Sequence, residues 1–178
     1  MNTVELLKKY YQENSEAYRI MYSHAVSVTQ KALELAKLHP DYDLDLQFIE
    51  EAAMLHDIGC FLTNAPDIQC FGIEPYICHG YLGAELLRKE GLPRHARVCE
   101  RHTGAGISFN QVIKRELPLP PRDYCPVTLE EKLICFADKF FSKTKLGQEK
   151  SLEKMRNSME KHGKGSVKRF EELCSLFL

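Results

Sequence analysis

Apolar residues recur along the chain at intervals of three and four positions, the repeat of one face of an α-helix. The first stripe comprises Met21, Ala25, Val28, Ala32 and Leu35. Later stripes comprise Ile49, Ala52 and Leu55; Leu82, Leu86 and Leu87; Leu152, Met155 and Met159; and Val167, Phe170, Cys174 and Phe177. No segment alternates apolar and polar residues over the length of a strand. The pattern therefore predicts an all-α fold, a bundle of helices.

Turn and cap residues separate these helical stripes. Gly59 is predicted to end the helix of the second stripe in the left-handed conformation, and Pro93 suits the first turn of a helix. Two pairs have the spacing of a capping box, Ser108 with Gln111 and Thr128 with Glu131. The segment 118–126 contains four prolines and is predicted to be a loop.

Length and composition favour one domain over residues 1–178, because 44% of the residues are apolar, enough for a core at this size. The formal net charge of -1 does not indicate a protein that binds a nucleic acid polymer. No apolar run approaches the roughly 20 residues that cross a bilayer. Since the N-terminus also lacks the pattern of a signal peptide, we expect a cytoplasmic protein without membrane association. Seven cysteines without a C-x-x-C pair predict neither a disulfide framework nor a zinc knuckle.

The seven histidines fall into different sequence contexts. His39, His95 and His162 stand at helix ends, where capping or a surface position explains them. His24 and His56 instead lie on apolar helix faces, and each alone is more typical of a core histidine than of a metal ligand. The acidic residues near them change that interpretation.

Asp138 lies within the apolar run Leu133–Phe141. A buried carboxylate is costly unless it is protonated, paired or bound to metal. Lys139 is not expected to be its partner, because adjacent helix residues point about 100° apart. A divalent cation shared with His24, His56 and the adjoining Asp57 would satisfy all of these groups. The residues therefore predict a metal site.

The same residues carry a resemblance to a known family. His56-Asp57-Ile58-Gly59, with an earlier His24 and a distant Asp138, resembles the HD superfamily of metal-dependent phosphohydrolases. H-G-Y-L-G-A-E-L-L from His79, E-R-H-T-G-A-G-I-S around His102 and L-E-E-K-L-I-C-F-A-D-K from Leu129 are similar to small single-domain HDIG proteins. The resemblance covers residues 19–145 approximately and leaves a helical C-terminal extension at 146–178.

This resemblance implies an HD-domain helical bundle that hydrolyses a nucleotide or another phosphorylated small molecule through metal-activated water. His56 and Asp57 would form the catalytic centre. His79 and His102 match two further histidines of binuclear members, so two ions are expected; the alternative is that both histidines support the ligands or contact phosphate. A ligand set of imidazole and carboxylate suits iron, manganese, nickel, cobalt or zinc.

Four cationic side chains are candidates for binding the substrate phosphate: Arg101, Lys139, Lys143 and Lys145. Surface charge explains them equally well. Arg101-His102 stands where the cyclic-di-GMP phosphodiesterase branch has a His-His pair, and no Gly-Tyr-Pro follows, so that substrate is not assigned. The branch that splits dinucleoside tetraphosphates is more similar. Two other functions remain open: a di-iron oxygenase of the HD type, and a module that senses a nucleotide without turnover.

Overall fold

The helices of the bundle begin and end close to the stripes described above. The computed structural model describes residues 1–178. Its nine α-helices are α1 Thr3–Tyr10, α2 Glu16–Leu38, α3 Leu46–Leu55, α4 His79–Lys89, α5 Pro93–Arg101, α6 Phe109–Lys114, α7 Leu129–Lys139, α8 Leu152–Glu160 and α9 Lys164–Phe177. The all-α prediction is confirmed. None of these helices combines the length and the apolar character needed to cross a bilayer.

Helix α2 is central to the bundle. It packs against α3 and α7, while α4 packs against α5 and against the short 3-10 helix Ile58–Leu62. The stripe from Met21 to Leu35 is buried along its whole length. Two apolar cores result, one around α2, α7 and α9 and the other between α1, α3 and α4. The functional side chains lie where these helices meet.

Local sequence signals explain several helix starts. Ser108 and Gln111 form the predicted capping box at α6, with both reciprocal hydrogen bonds present. At α7, the Thr128 side chain accepts the Glu131 N–H as predicted. The box is incomplete there, because the Glu131 carboxylate accepts from the N–H of Val127 rather than from that of Thr128.

The prediction that Gly59 ends α3 is wrong. Gly59 does not end α3 in the left-handed conformation but lies within the 3-10 helix Ile58–Leu62. A Cβ atom at this position would lie 2.3 Å from the carbonyl oxygen of His79 and 2.4 Å from the nitrogen of Gly83. Glycine is thus required because α4 crosses the backbone closely.

Two short strands depart from a purely helical chain. β1 Asn64–Ala65 pairs antiparallel with β2 Cys70–Phe71. At two residues each, these strands are too short for sequence alternation to predict them. The hairpin is followed by the 3-10 helix Tyr76–Cys78, which continues directly into α4.

Candidate metal centre

Six side chains from five helical segments converge at one place in the bundle. His24 lies in the middle of α2, His79 is the first residue of α4, and Asp138 lies in the last turn of α7. His56 and His102 follow the last residues of α3 and α5, and Asp57 follows His56. All are buried, with exposed fractions from 0% for His56 to 8% for Asp138. Helix ends thus supply most of the site.

The first group of donors comprises His24, His56, Asp57 and Asp138, whose ligand atoms all lie within 4.8 Å of one another. His24 Nε2 lies 2.9 Å from Asp138 Oδ1 and 3.2 Å from Asp57 Oδ2. His56 Nε2 lies 2.9 Å from Asp57 Oδ2 and 3.5 Å from Asp138 Oδ1. Two imidazoles therefore face two carboxylates.

The second group comprises Asp57, His79 and His102. His79 Nε2 and His102 Nε2 each lie 3.3 Å from Asp57 Oδ1. The two carboxylate oxygens of Asp57 thus face different groups, Oδ2 the first and Oδ1 the second. Asp57 is thus the one residue that belongs to both groups of donors.

Hydrogen bonds to the main chain fix the tautomers of three imidazoles. In each case the ring Nδ1–H donates to the carbonyl oxygen three residues earlier: His56 to Ala53 at 2.6 Å, His79 to Tyr76 at 2.7 Å and His102 to Cys99 at 2.7 Å. Carbonyls in the last turn of a helix have no partner within the helix, so they are available to His56 and His102. Each Nε2 then faces the centre, and in the neutral ring it presents a lone pair there, as in metal-binding histidines.

Two of these lone pairs face each other. His79 Nε2 and His102 Nε2 lie 3.1 Å apart, although neither neutral ring has a proton left to donate. Burial lowers the pKa of His102 and lowers that of His79 to about 3, so both rings stay neutral. A cation that accepts both lone pairs would remove this conflict.

The carboxylates are ionised. Burial opposes the charge on Asp57, but His56 and Lys143 outweigh it and hold the pKa well below its usual value. Burial likewise opposes the charge on Asp138, and Lys139 with His24 and His56 overcomes it. Burial also disfavours a protonated His56, yet Asp57 and Asp138 raise its pKa to about 9. The pair of carboxylates thus attracts positive charge into the centre.

The donor set fits a divalent transition metal. His56 Nε2 and Asp57 Oδ2 are buried without a hydrogen-bond partner of acceptable geometry. Imidazole and carboxylate donors without thiolate suit several first-row metals. A cation would replace the proton that His56 otherwise takes up and would bind both of these atoms.

A cavity of about 510 Å³ opens beside the first group of donors. Two of the donors, His24 and Asp138, line it, and so do Lys139, Lys143 and Lys150. We call it the lysine cavity. Its volume lies within the range of about 300–1,000 Å³ that is usual for small-molecule sites.

Residues 21–143 match the HD domain family. The chain belongs to the HD domain family. This family consists of metal-dependent hydrolases and hydrolase-like proteins that bind divalent metals. The family predicted from the His-Asp pair and its distant partners is thereby confirmed.

Several relatives of this HD protein are known. An uncharacterized protein of Methanocaldococcus jannaschii is 41% identical over 125 residues, which make up 68% of this chain and 66% of the relative. The tRNA (cytidine(56)-2'-O)-methyltransferase of Picrophilus torridus is 35% identical over 131 residues, 73% of this chain and 34% of the enzyme. That of Thermoplasma volcanium is 34% identical over 140 residues, 78% of this chain and 35% of the enzyme.

The HD chain therefore spans about two thirds of the first relative and about one third of each methyltransferase. The activity in the methyltransferases' name belongs to proteins about three times as long as the matched segment. No solved structure matches the chain significantly.

Two predicted lysines of the HD protein reach the centre. Lys143 Nζ lies 2.6 Å from Asp57 Oδ2. Lys139 Nζ lies 2.7 Å from Asp138 Oδ2, so the expectation that Lys139 is not the partner of Asp138 is wrong. The Lys139 ammonium group also donates to the carbonyl oxygen of His102 at 3.3 Å.

The structure does not bring the other two predicted cations into the lysine cavity. Arg101 donates to the Glu131 carboxylate at 2.9 Å, and Lys145 is exposed to solvent. Lys150 and Tyr76 line the cavity instead, and neither was singled out from the sequence. The spacing of Lys139, Lys143 and Lys150 resembles a helical stripe, but α7 ends at Lys139.

Proposed function

We propose that this HD protein is a phosphohydrolase that uses two divalent metal ions to act on a nucleotide or another phosphorylated small molecule. The observation that carries the proposal is the position of Asp57. Its Oδ2 lies 2.9 Å from His56 Nε2, while its Oδ1 lies 3.3 Å from His79 Nε2. One carboxylate between two groups of imidazole nitrogen donors is the pattern of a two-metal hydrolase.

The roles of the ligands follow from the two groups. His24, His56, Asp57 and Asp138 would hold one ion, and Asp57, His79 and His102 the other. When bound, such ions lower the pKa of a coordinated water and neutralise charge on phosphoryl oxygens. We assign the central catalytic roles to His56 and Asp57.

The protein contributes orientation and positive charge. The Nδ1–H bonds of His56, His79 and His102 to the main chain hold each ring with Nε2 towards the centre. Lys139 and Lys143 lie at the boundary between the ligand carboxylates and the lysine cavity. Both ammonium groups are placed to bind the non-bridging oxygens of a phosphoryl group.

We propose a small molecule rather than a nucleic acid polymer as the substrate. The lysine cavity has a volume of about 510 Å³, and the chain carries a net charge of -1. The two methyltransferase relatives are named for an action on tRNA, so tRNA is the polymer to test. Binding of tRNA at micromolar affinity through the lysine cavity would contradict this part of the proposal.

A di-iron oxygenase is compatible with the same donor atoms. The lysines of the cavity favour an anionic substrate, and hydrolysis requires no electron donor or oxygen. A sensing module without turnover is the other alternative. We prefer hydrolysis because both ligand groups of the centre are complete.

Turnover of the reconstituted protein tests the proposal. Protein loaded with iron, manganese, cobalt, nickel or zinc is assayed on nucleotides, dinucleoside polyphosphates and sugar phosphates. We expect release of phosphate or nucleotide from at least one compound without oxygen consumption. Asp57→Asn should abolish turnover with retained helical content, whereas Asp41→Asn, the same change at an exposed position, should not. Oxygen-dependent turnover, or wild-type rates in Asp57→Asn, would overturn the proposal.

A further inference from the structure

The lysine cavity extends beyond the metal ligands, and Lys150 lies on its wall together with Lys139 and Lys143. We propose that Lys150 determines substrate specificity by binding a second phosphoryl group, so that the preferred substrate carries two adjacent phosphoryl groups rather than one. This inference rests on the proposed function, which requires the first phosphoryl group to lie at the metal centre.

A main-chain hydrogen bond places Lys150. Helix α7 ends at Lys139, α8 begins at Leu152, and the intervening segment folds back so that the N–H of Lys150 donates to the carbonyl oxygen of Phe140 at 2.7 Å. This contact returns the chain to the end of α7. Lys150 thereby joins the same cavity as residues that precede it by seven and eleven positions.

Lys150 has no acidic partner, unlike the other two lysines. Lys139 Nζ and Lys143 Nζ lie 2.7 Å and 2.6 Å from carboxylate oxygens of Asp138 and Asp57. The ammonium group of Lys150 has no carboxylate oxygen within 4.0 Å. The adjacent Glu149 pairs with Lys31 at 2.6 Å. Lys150 is thus the cavity lysine whose charge remains available.

The surroundings disfavour an uncompensated charge on Lys150. Burial lowers its pKa, and the charges of Lys139 and Lys143 lower it further, against the opposing effect of Asp138. Asp67, which is exposed, is the other acid on the cavity wall. An anion from solution would offset this repulsion among three cations.

The distances assign the lysines to two subsites. Lys139 and Lys143 contact the ligand carboxylates, so they belong with the phosphoryl group at the metals. Lys150 lies more than 4.0 Å from those carboxylates and belongs with a neighbouring group. Ser142 and Thr144 are lining residues of the cavity as well, and hydroxyl and ammonium donors together suit phosphoryl oxygens.

Binding of two inorganic probes to the metal-loaded protein tests the inference. Calorimetry compares pyrophosphate with orthophosphate in wild type, Lys150→Gln, Lys150→Arg and the control Lys154→Gln. Lys154 is an exposed residue outside the cavity. We expect Lys150→Gln to weaken pyrophosphate binding by about tenfold or more, the loss of one charge-assisted hydrogen bond. The affinity of Lys150→Gln for orthophosphate should differ from that of the wild type by less than about twofold.

Lys150→Arg should restore the preference for pyrophosphate, and Lys154→Gln should not alter it. Equal affinities of wild type and Lys150→Gln for pyrophosphate would overturn the inference, and so would an equal loss for both probes. Hydrolysis is measured in parallel. If the protein turns over a substrate but Lys150→Gln binds pyrophosphate as the wild type does, only the inference about Lys150 is overturned. If Lys150 contributes to pyrophosphate binding but no substrate is turned over, the proposed hydrolase activity is overturned and the phosphoryl subsite remains.

Discussion

His79 Nε2 and His102 Nε2 lie 3.1 Å apart, and each ring has already donated its Nδ1 proton to a main-chain carbonyl. Two neutral imidazoles in this position present lone pairs to each other. Because burial lowers the pKa of both rings, a proton shared between the two Nε2 atoms would be bound only weakly. A metal cation on the side of Asp57 Oδ1 would resolve the contact by binding both lone pairs.

Metal removal should destabilise the fold. An ion that binds only the folded state stabilises it by about 2.7 kcal/mol at a hundredfold excess over Kd. For a chain of this size that corresponds to roughly 5–11 °C in Tm. Chelation followed by calorimetry should show this decrease, and re-addition of metal should reverse it. An identical melting curve after verified removal would mean that the six side chains form a satisfied polar core.

Lys143 should compete with the metal for Asp57. Its ammonium group lies 2.6 Å from Asp57 Oδ2, one of the atoms assigned to the first ion. Lys143→Met removes one cationic partner of a buried carboxylate in the metal-free protein, and His56 remains beside it, so we expect a cost of up to about 3–5 kcal/mol. The metal-loaded protein should lose less unfolding free energy than the metal-free protein. By linkage, the variant should therefore bind metal more tightly than the wild type, about tenfold for each 1.4 kcal/mol between the two losses.

Paired melting curves and metal titrations measure this effect, with Lys154→Met as the control for loss of an exposed lysine. Equal destabilisation of the metal-free and the metal-loaded protein by Lys143→Met would show that Lys143 and the metal do not share Asp57.

Gly59 should be intolerant of alanine. The added Cβ would lie 2.3 Å from the backbone oxygen of His79, so α4 must move and His79 with it. We expect a loss of about 1–3 kcal/mol or more in unfolding free energy and weaker binding of the second ion. Gly165→Ala is the matched control, because its Cβ would meet only the Arg169 side chain at 3.5 Å. A Gly59→Ala protein as stable as Gly165→Ala would contradict the role assigned to this contact.

The helices and the ligand set were accessible from the sequence for local reasons. The stripe from Met21 to Leu35 and the Ser108 cap depend on neighbours within one or two turns. His24, His56 and Asp138 stood out as polar groups on apolar faces, which tertiary burial makes costly. These features are encoded by spacing.

Long-range contacts explain what the sequence did not indicate. The need for Gly59 arises from the passage of α4, and the position of Lys150 depends on one hydrogen bond to Phe140. Lys139 pairs with Asp138 because a flexible side chain can turn back further than its Cβ direction suggests. None of these contacts leaves a periodic pattern in the chain.

The metal content of the purified, fully loaded protein tests the central claim most directly. Asp57 as a bridge predicts about two equivalents of metal per chain in the wild type. His79→Ala and His102→Ala should each retain about one, since the donors around His24 and Asp138 remain. His162→Ala, at a helix end far along the chain from either group, should retain the wild-type content. A single equivalent in the loaded wild type, unchanged in the His79 and His102 variants, would contradict the two-metal centre.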